Sequence, residues 1–278
     1  MVTTVQNQPV FNVLLDKTLH SVLSPRHFLD YSVVTFHYGR ALSLAKSGKI
    51  YLSGFYLREA DRLLTQVLCP VTNQWILIYA LPKKAFYFFQ VQDYTTAGHL
   101  SEQAIHLCMQ MQKSGYDFLF HAGIQQRFNL ARVKLNSGMP QMGLEACSLC
   151  LVDLIRYVGV NAANPDNLEL GIRNIYQVVI KTFNFLQKKA QEPESCFLLL
   201  SYFLKDTLSL PGTAQFSDDP RYVEMISFLH LFSFVIDRDF KLFRQTASRA
   251  FIHDEFLRKI LQGYLGGPAI TTASLTKL

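Results

Sequence analysis

Cys147 and Cys150 make up a Cys-x-x-Cys, the first arrangement in this chain to weigh for chemistry. Redox work by such a pair wants the start of a helix, where the aligned peptide dipoles favour a thiolate. Here the pair is flanked by Ala146, Leu149 and Leu151, a pattern that reads as helix interior. Zinc would need a second ligand pair at suitable spacing, and none stands out, so both cysteines read as small buried hydrophobes. His99 and His106 lie seven residues apart, whereas a helical metal site prefers a four-residue step with a carboxylate partner. His37, His121, His230 and His253 are isolated in sequence. Glu59 and Asp61 flank Ala60 and point to different sides of their helix, which makes a poor acid–base pair. Gly266-Gly267 has no Lys-Ser/Thr behind it, and no Gly-x-Ser-x-Gly occurs. The expectation is a chain with no catalytic residue, no metal ligand and no bound cofactor.

What remains is a cluster suited to contact rather than reaction. Arg238, Lys241, Arg244 and Arg249 fall among Phe240, Phe243 and Phe251. Arginine and aromatic rings together favour protein interfaces, and the same types serve RNA through stacking and phosphate contact. The charge balance favours protein. Lys and Arg number 27 against 21 Asp and Glu, a scattered excess of +6 without the basic block of a nucleic-acid arm. Hydrophobic residues form 49% of the 278 and charged ones 17%, enough apolar surface for a large core. The 22 Phe and 13 Tyr read mainly as filling between helix layers, some of them as groove lining. Five cysteines without a disulfide spacing suit a reducing compartment. The N-terminus lacks the pattern of a secretory signal, and apolar runs such as Trp75 to Leu81 are too short to span a bilayer. An intracellular, cytoplasmic location is expected, the nucleus being an alternative.

The elements that would position these residues are punctuated clearly. Ser24-Pro25, Asn164-Pro165 and Asp219-Pro220 each place a capping side chain before a proline at the first helical position. Pro193, Pro82 and Pro140 also read as helix starts. The first hairpin runs from about His27 to Leu68, turning at Ser47-Gly48, with Phe36, Ala41, Leu44 and Ala45 on one apolar face and Tyr51, Phe55, Ala60, Leu63 and Leu64 on the other. Residues Val71 to Leu81 read as a short helix broken or kinked at Pro82. The second hairpin spans Pro82 to about Lys113, turning at Asp93-Tyr94. The third spans Tyr116 to Val158, turning at Asn136-Ser137-Gly138. Polar, small stretches at Gly159–Asp166 and Ser209–Asp219 read as breaks. Beyond the first lie helices over about Asn167–Lys189 and Pro193–Leu208. Beyond the second lie Pro220–Ile236, Asp239–Phe251 and Asp254–Tyr264. The organisation expected is an N-terminal helix or cap over 1–24, hairpins over 25–158, further hairpins with a capping helix over 159–265, and a flexible tail over 266–278.

Small residues recur in one register: Ala41, Gly48 and Ala60; Ala85, Ala97 and Ala104; Ala131, Gly138 and Gly143. Ser53 and Cys150 stand at further small positions, and Gln92 stands where glycine would. Ala41, Ala85 and Ala131 follow one another at intervals of 44 and 46 residues. This pattern resembles the tetratricopeptide-type helical repeat, over roughly residues 27–158. The intervals exceed that family's unit, and its tryptophan and Gly-Tyr signature is missing. The resemblance implies an all-α superhelix of stacked antiparallel hairpins, a tetratricopeptide-like solenoid with a concave face lined by the first helix of each hairpin. It further implies a scaffold or adaptor, a non-catalytic subunit of a larger complex that holds a peptide or helix of a partner protein. The register nominates Tyr38, Arg40, Tyr87, Gln90, Asn129 and Arg132 as partner-binding residues, beside Arg238, Lys241 and Arg244. The alternatives are an RNA-binding helical repeat and a helical enzyme without a recognisable motif. The terminal Thr276-Lys277-Leu278 resembles a PDZ-domain ligand and, more loosely, a peroxisomal address.

Overall fold

Proline and capping side chains set the helix boundaries in a computed structural model that describes residues 10–161, 164–189, 193–208, 217–237, 239–250 and 252–266. Those residues form twelve helices and no strand. They are α1 (Val10–Val22), α2 (Pro25–Lys46), α3 (Ile50–Leu64), α4 (Pro70–Gln90), α5 (Tyr94–Lys113), α6 (Leu119–Asn136), α7 (Pro140–Asn161), α8 (Pro165–Lys189), α9 (Pro193–Leu208), α10 (Pro220–Ile236), α11 (Phe240–Arg249) and α12 (Glu255–Gly266). Ser24 Oγ accepts from the His27 amide, Asn164 Oδ1 from the amides of Asp166 and Asn167, and Asp219 Oδ1 from the Arg221 amide. Each bond satisfies a donor that the first helical turn leaves without an intrahelical acceptor.

Pro82 does not open a helix as its sequence position implies: α4 runs unbroken from Pro70 to Gln90 with Pro82 inside. The missing Pro82 amide leaves the Ile78 carbonyl without its helical donor. Burial outweighs that loss. Trp75, Ile76, Ala80 and Leu81 before the proline and Ala85 after it are all core residues, so both halves are held in line from outside. The second hairpin therefore begins a dozen residues earlier than its sequence pattern places it.

The chain divides into two compact units, 1–138 and 139–278. In the first, α2 packs on α3 and α4, α4 on α5, and α5 on α6. The small residues do what their register requires. Ala41, Ser53 and Ala60 are at most 1% exposed, and Ser53 Oγ donates to the Ala41 carbonyl of the opposite helix at 2.8 Å. Only a short side chain allows so close an approach. The turns repeat as well. Gly48 and Gly138 have φ of +76° and +86°, and Gln92 takes φ +64° at the corresponding place in the second hairpin.

In the second unit α7 packs on α8 and α9, α10 on α9, α11 and α8, and α12 on α8. Its core is a run of phenylalanines drawn from four helices. Phe183 meets Phe203, Phe228 and Phe232 at 5.8, 5.4 and 4.6 Å between ring centroids, and Phe232 meets Phe243 at 5.6 Å. All five are 0% exposed. The aromatic load here is interior filling, in the tilted and edge-on geometries that rings prefer.

Candidate functional site

Most of the nominated contact residues can now be placed. Tyr38 is 0% exposed, and its hydroxyl donates to Asp61 Oδ1 at 2.5 Å. Asp61 also accepts from Lys84 Nζ, both oxygens at 3.0 Å. Burial, then the hydrogen bond to Asp61, pushes the Tyr38 phenol well above its ordinary range. Tyr38 is thus a strut joining α2 to α3 rather than a surface contact. Arg40 is exposed on the other side of α2, because two helical steps turn a side chain by about 200°. Tyr87 is half-buried. Its hydroxyl lies 2.9 Å from where a Cβ on Gly54 would stand, so that glycine makes room for it. Gln90 is exposed at the end of α4.

Asn129 and Arg132 are brought together on α6. They border a cavity of about 30 Å³ with Phe86 and Phe89 of α4, and the Arg132 guanidinium carbon lies 5.6 Å from the Phe89 ring centroid. That volume admits a methyl group or a water or two, too little for a substrate cleft. Of the C-terminal basic residues, Lys241 is exposed on α11. Arg238 and Phe251 lie outside the described residues, as do the side chains of Phe240 and Arg244 and the segment holding Thr276-Lys277-Leu278. Phe243 is core.

A larger concavity is one of which the sequence pattern picked out only Arg249 for contact. An open groove of about 920 Å³ runs along α10 in the second unit. Val223, Ser227, Leu231 and Phe234 recur along its floor at the three-to-four-residue spacing of one helix face. Thr246, Arg249 and Ala250 form one wall, with Ile252 and His253 beyond them. From Pro220 to Phe234 the groove is about 21 Å long. The legible signal was α10 itself. It is apolar on two sides, with Met225, Leu229 and Phe232 facing the core and Val223 41% exposed on the other side.

Beside this groove lies a polar cleft of about 500 Å³ holding Glu169, Arg173, Tyr176, Arg221, Glu224, His253 and Asp254. Seven ionisable groups thus line one cavity. Most of these groups have structural partners. Arg221 joins Glu169 at 2.7 Å and Asp219 at 2.9 Å. Glu224 Oε1 accepts from the backbone amides of His253 and Asp254, and Asp254 Oδ1 caps α12 through the Leu257 amide. The Tyr176 hydroxyl donates to the Arg221 carbonyl at 3.1 Å. Carboxylates so occupied hold α8, α10 and α12 together.

Cys147 and Cys150 are buried in mid-α7, at 0% and 2% exposure. His99 and His106 are exposed on α5, each bonded through Nε2 to the glutamine one turn on, Gln103 and Gln110. Burial, and secondarily Lys46, drives the Lys83 amine well below its usual range. The amine donates to the Tyr79 carbonyl at 2.8 Å, one turn back in its own helix. Among the described residues no helix is long and apolar enough to cross a membrane, and no cluster of three or more His, Cys, Asp or Glu could hold a metal ion.

These features define an all-α protein of the helical-repeat kind, its consecutive helices packed on their neighbours within each unit. No family model, curated protein or solved structure matches the chain.

Proposed function

We propose that this chain is a non-catalytic interaction subunit of tetratricopeptide-like type that holds a peptide or helix of a partner protein in the groove along α10. The observation that carries the reading is the groove's combination of length, openness and lining. Val223 and Phe234 offer apolar contact on one helix face above the buried Leu231, and Arg249 stands on the rim for orientation. A groove about four helical turns long suits a segment of polypeptide better than a small molecule. In the first unit, Asn129 and Arg132 at the small aromatic cavity would receive no more than the methyl-sized tip of a partner's side chain. The repeating left-handed turns at Gly48, Gln92 and Gly138 support the repeat type. The cytoplasm is the expected setting.

The test is affinity purification with mass spectrometry from native cells, comparing the natural chain with Val223→Asp and Arg249→Glu. Both side chains are exposed, so the fold should survive. A protein that associates reproducibly with the natural chain and is lost from both variants supports the groove. An unchanged set of associated proteins sinks it. Retention of nucleic acid that falls steeply with salt would favour the RNA-binding alternative.

A further inference from the structure

The first hairpin carries an apolar face that no other described part of its unit covers. On α2 the core residues Val34, Tyr38, Ala41 and Ala45 share one side. On the opposite side Leu29, Val33 and Phe36 are 62%, 43% and 66% exposed. With Arg26 and Arg40, also exposed, they form a single stripe of alternating three- and four-residue steps. On α3, Leu52 and Phe55 are 47% and 53% exposed. His37 and Tyr56 join the two stripes into one surface. Phe36 meets His37 at 5.6 Å between ring centroids, His37 meets Tyr56 at 5.9 Å, and Tyr56 meets Phe55 at 5.6 Å. The sequence pattern placed Phe36 and Phe55 on packed faces; they stand instead in solvent. Helix α1 does not shield them. Its Leu19 is in the core, Leu15 and Val22 pack against that core, and Phe11 reaches the Phe118 ring at 5.7 Å. A helix that is apolar on two opposite sides is one built to be covered on both.

The charges say by what. Arg26 and Arg40 bracket the apolar stripe about 21 Å apart, and neither has an ion-pair partner among the described residues. The α2 stripe itself holds no carboxylate, Asp30 standing half-buried on its flank one turn from Arg26. Glu59 of α3 is held by Arg62 through two hydrogen bonds, and Asp61 by Lys84 and Tyr38. A second copy of this chain is a poor occupant. Two α2 stripes packed antiparallel would set Arg26 against Arg40 at both ends, and packed parallel would set each arginine against itself. We infer that this face docks an amphipathic helix of another protein whose apolar stripe is bordered by acidic residues. It is a second interaction surface, independent of the α10 groove.

The probes are two labelled synthetic helices of about five turns with the same leucine and phenylalanine stripe, one bordered by glutamates about four turns apart and the other by lysines at the same positions. Binding to the full chain is read by fluorescence anisotropy. The acidic helix is expected to bind and the basic one to bind at least about tenfold more weakly, with the gap narrowing in high salt. Reversing both arginines (Arg26→Glu with Arg40→Glu) should invert that preference. Phe36→Ser with Phe55→Ser should abolish binding of both while leaving helix content and unfolding temperature intact. Val223→Asp, in the α10 groove, should change nothing. Equal binding of the two helices overturns the inference, as does failure of the acidic helix to bind or indifference to the arginine reversal. A Phe36-dependent dimer in sedimentation, or sensitivity to Val223→Asp, overturns it in favour of self-association or of the other groove.

Discussion

His121 sits in α6 at 3% exposure, and burial pushes its imidazole down to about 4 from an ordinary 6.5. The folded state therefore holds a neutral ring where the unfolded chain would take up a proton. Stability is fully present above pH 6.5 and is lost as pH falls toward 4, by up to about 3 kcal/mol. Urea unfolding at pH 7 and pH 5 should show that loss, and His121→Gln should flatten the difference. Tyr38 offers a second check at this scale. Tyr38→Phe removes one bond to a half-exposed carboxylate and should lower stability by about 1–2 kcal/mol in the same assay. It should leave partner capture untouched, because the ring is interior. Its spacing, three and seven residues before Ala41 and Ala45, pointed to the core, but its residue type did not. Tyrosine suits a groove and a core equally, and its partner Asp61, 23 residues away, separates the two.

Among the elements, the hairpin register was the most legible feature, because small residues at close approach leave little choice. The left-handed turns at Gly48, Gln92 and Gly138 illustrate this. Gln92 occupies with φ +64° a conformation that costs a side chain about 1 kcal/mol and glycine almost nothing. Gln92→Gly should raise thermal stability by about that amount. The junction of α7 and α8 should respond the other way. A Cβ on Gly171 would stand 2.6 Å from Cγ2 of Val158, itself 0% exposed and stiff at its branch. Gly171→Ala should destabilise by about 1–3 kcal/mol in urea titration, and Val158→Ala in the same chain should recover part of the loss. Pro82 was misleading for the converse reason. Its local effect on α4 is visible in sequence, while the packing that overrides it comes from other helices, α2 and α5 foremost. The α10 groove was hidden likewise. The sequence of α10 displays its apolar residues, but which of its two apolar sides stays uncovered depends on where α9 and α11 land.

At the scale of the molecule, the all-α class and most helix boundaries followed from prolines, caps and apolar spacing. The division after Gly138 did not. It falls in a turn whose residues resemble those of the other hairpins, and nothing local marks it. Each unit nevertheless encloses phenols. Tyr31, Tyr38 and Tyr79 in the first and Tyr176 and Tyr222 in the second are all held above the ordinary 10.0, foremost by burial. A folded chain keeps those protons while an opened one releases them, so stability present below pH 10 must drain away in stronger alkali. The rise of tyrosinate absorbance on alkaline titration should lag and then climb steeply with loss of circular dichroism. Nitration reaches the buried rings of Tyr38 and Tyr222 only once their surroundings open, so the nitrated position would tell which half had come undone.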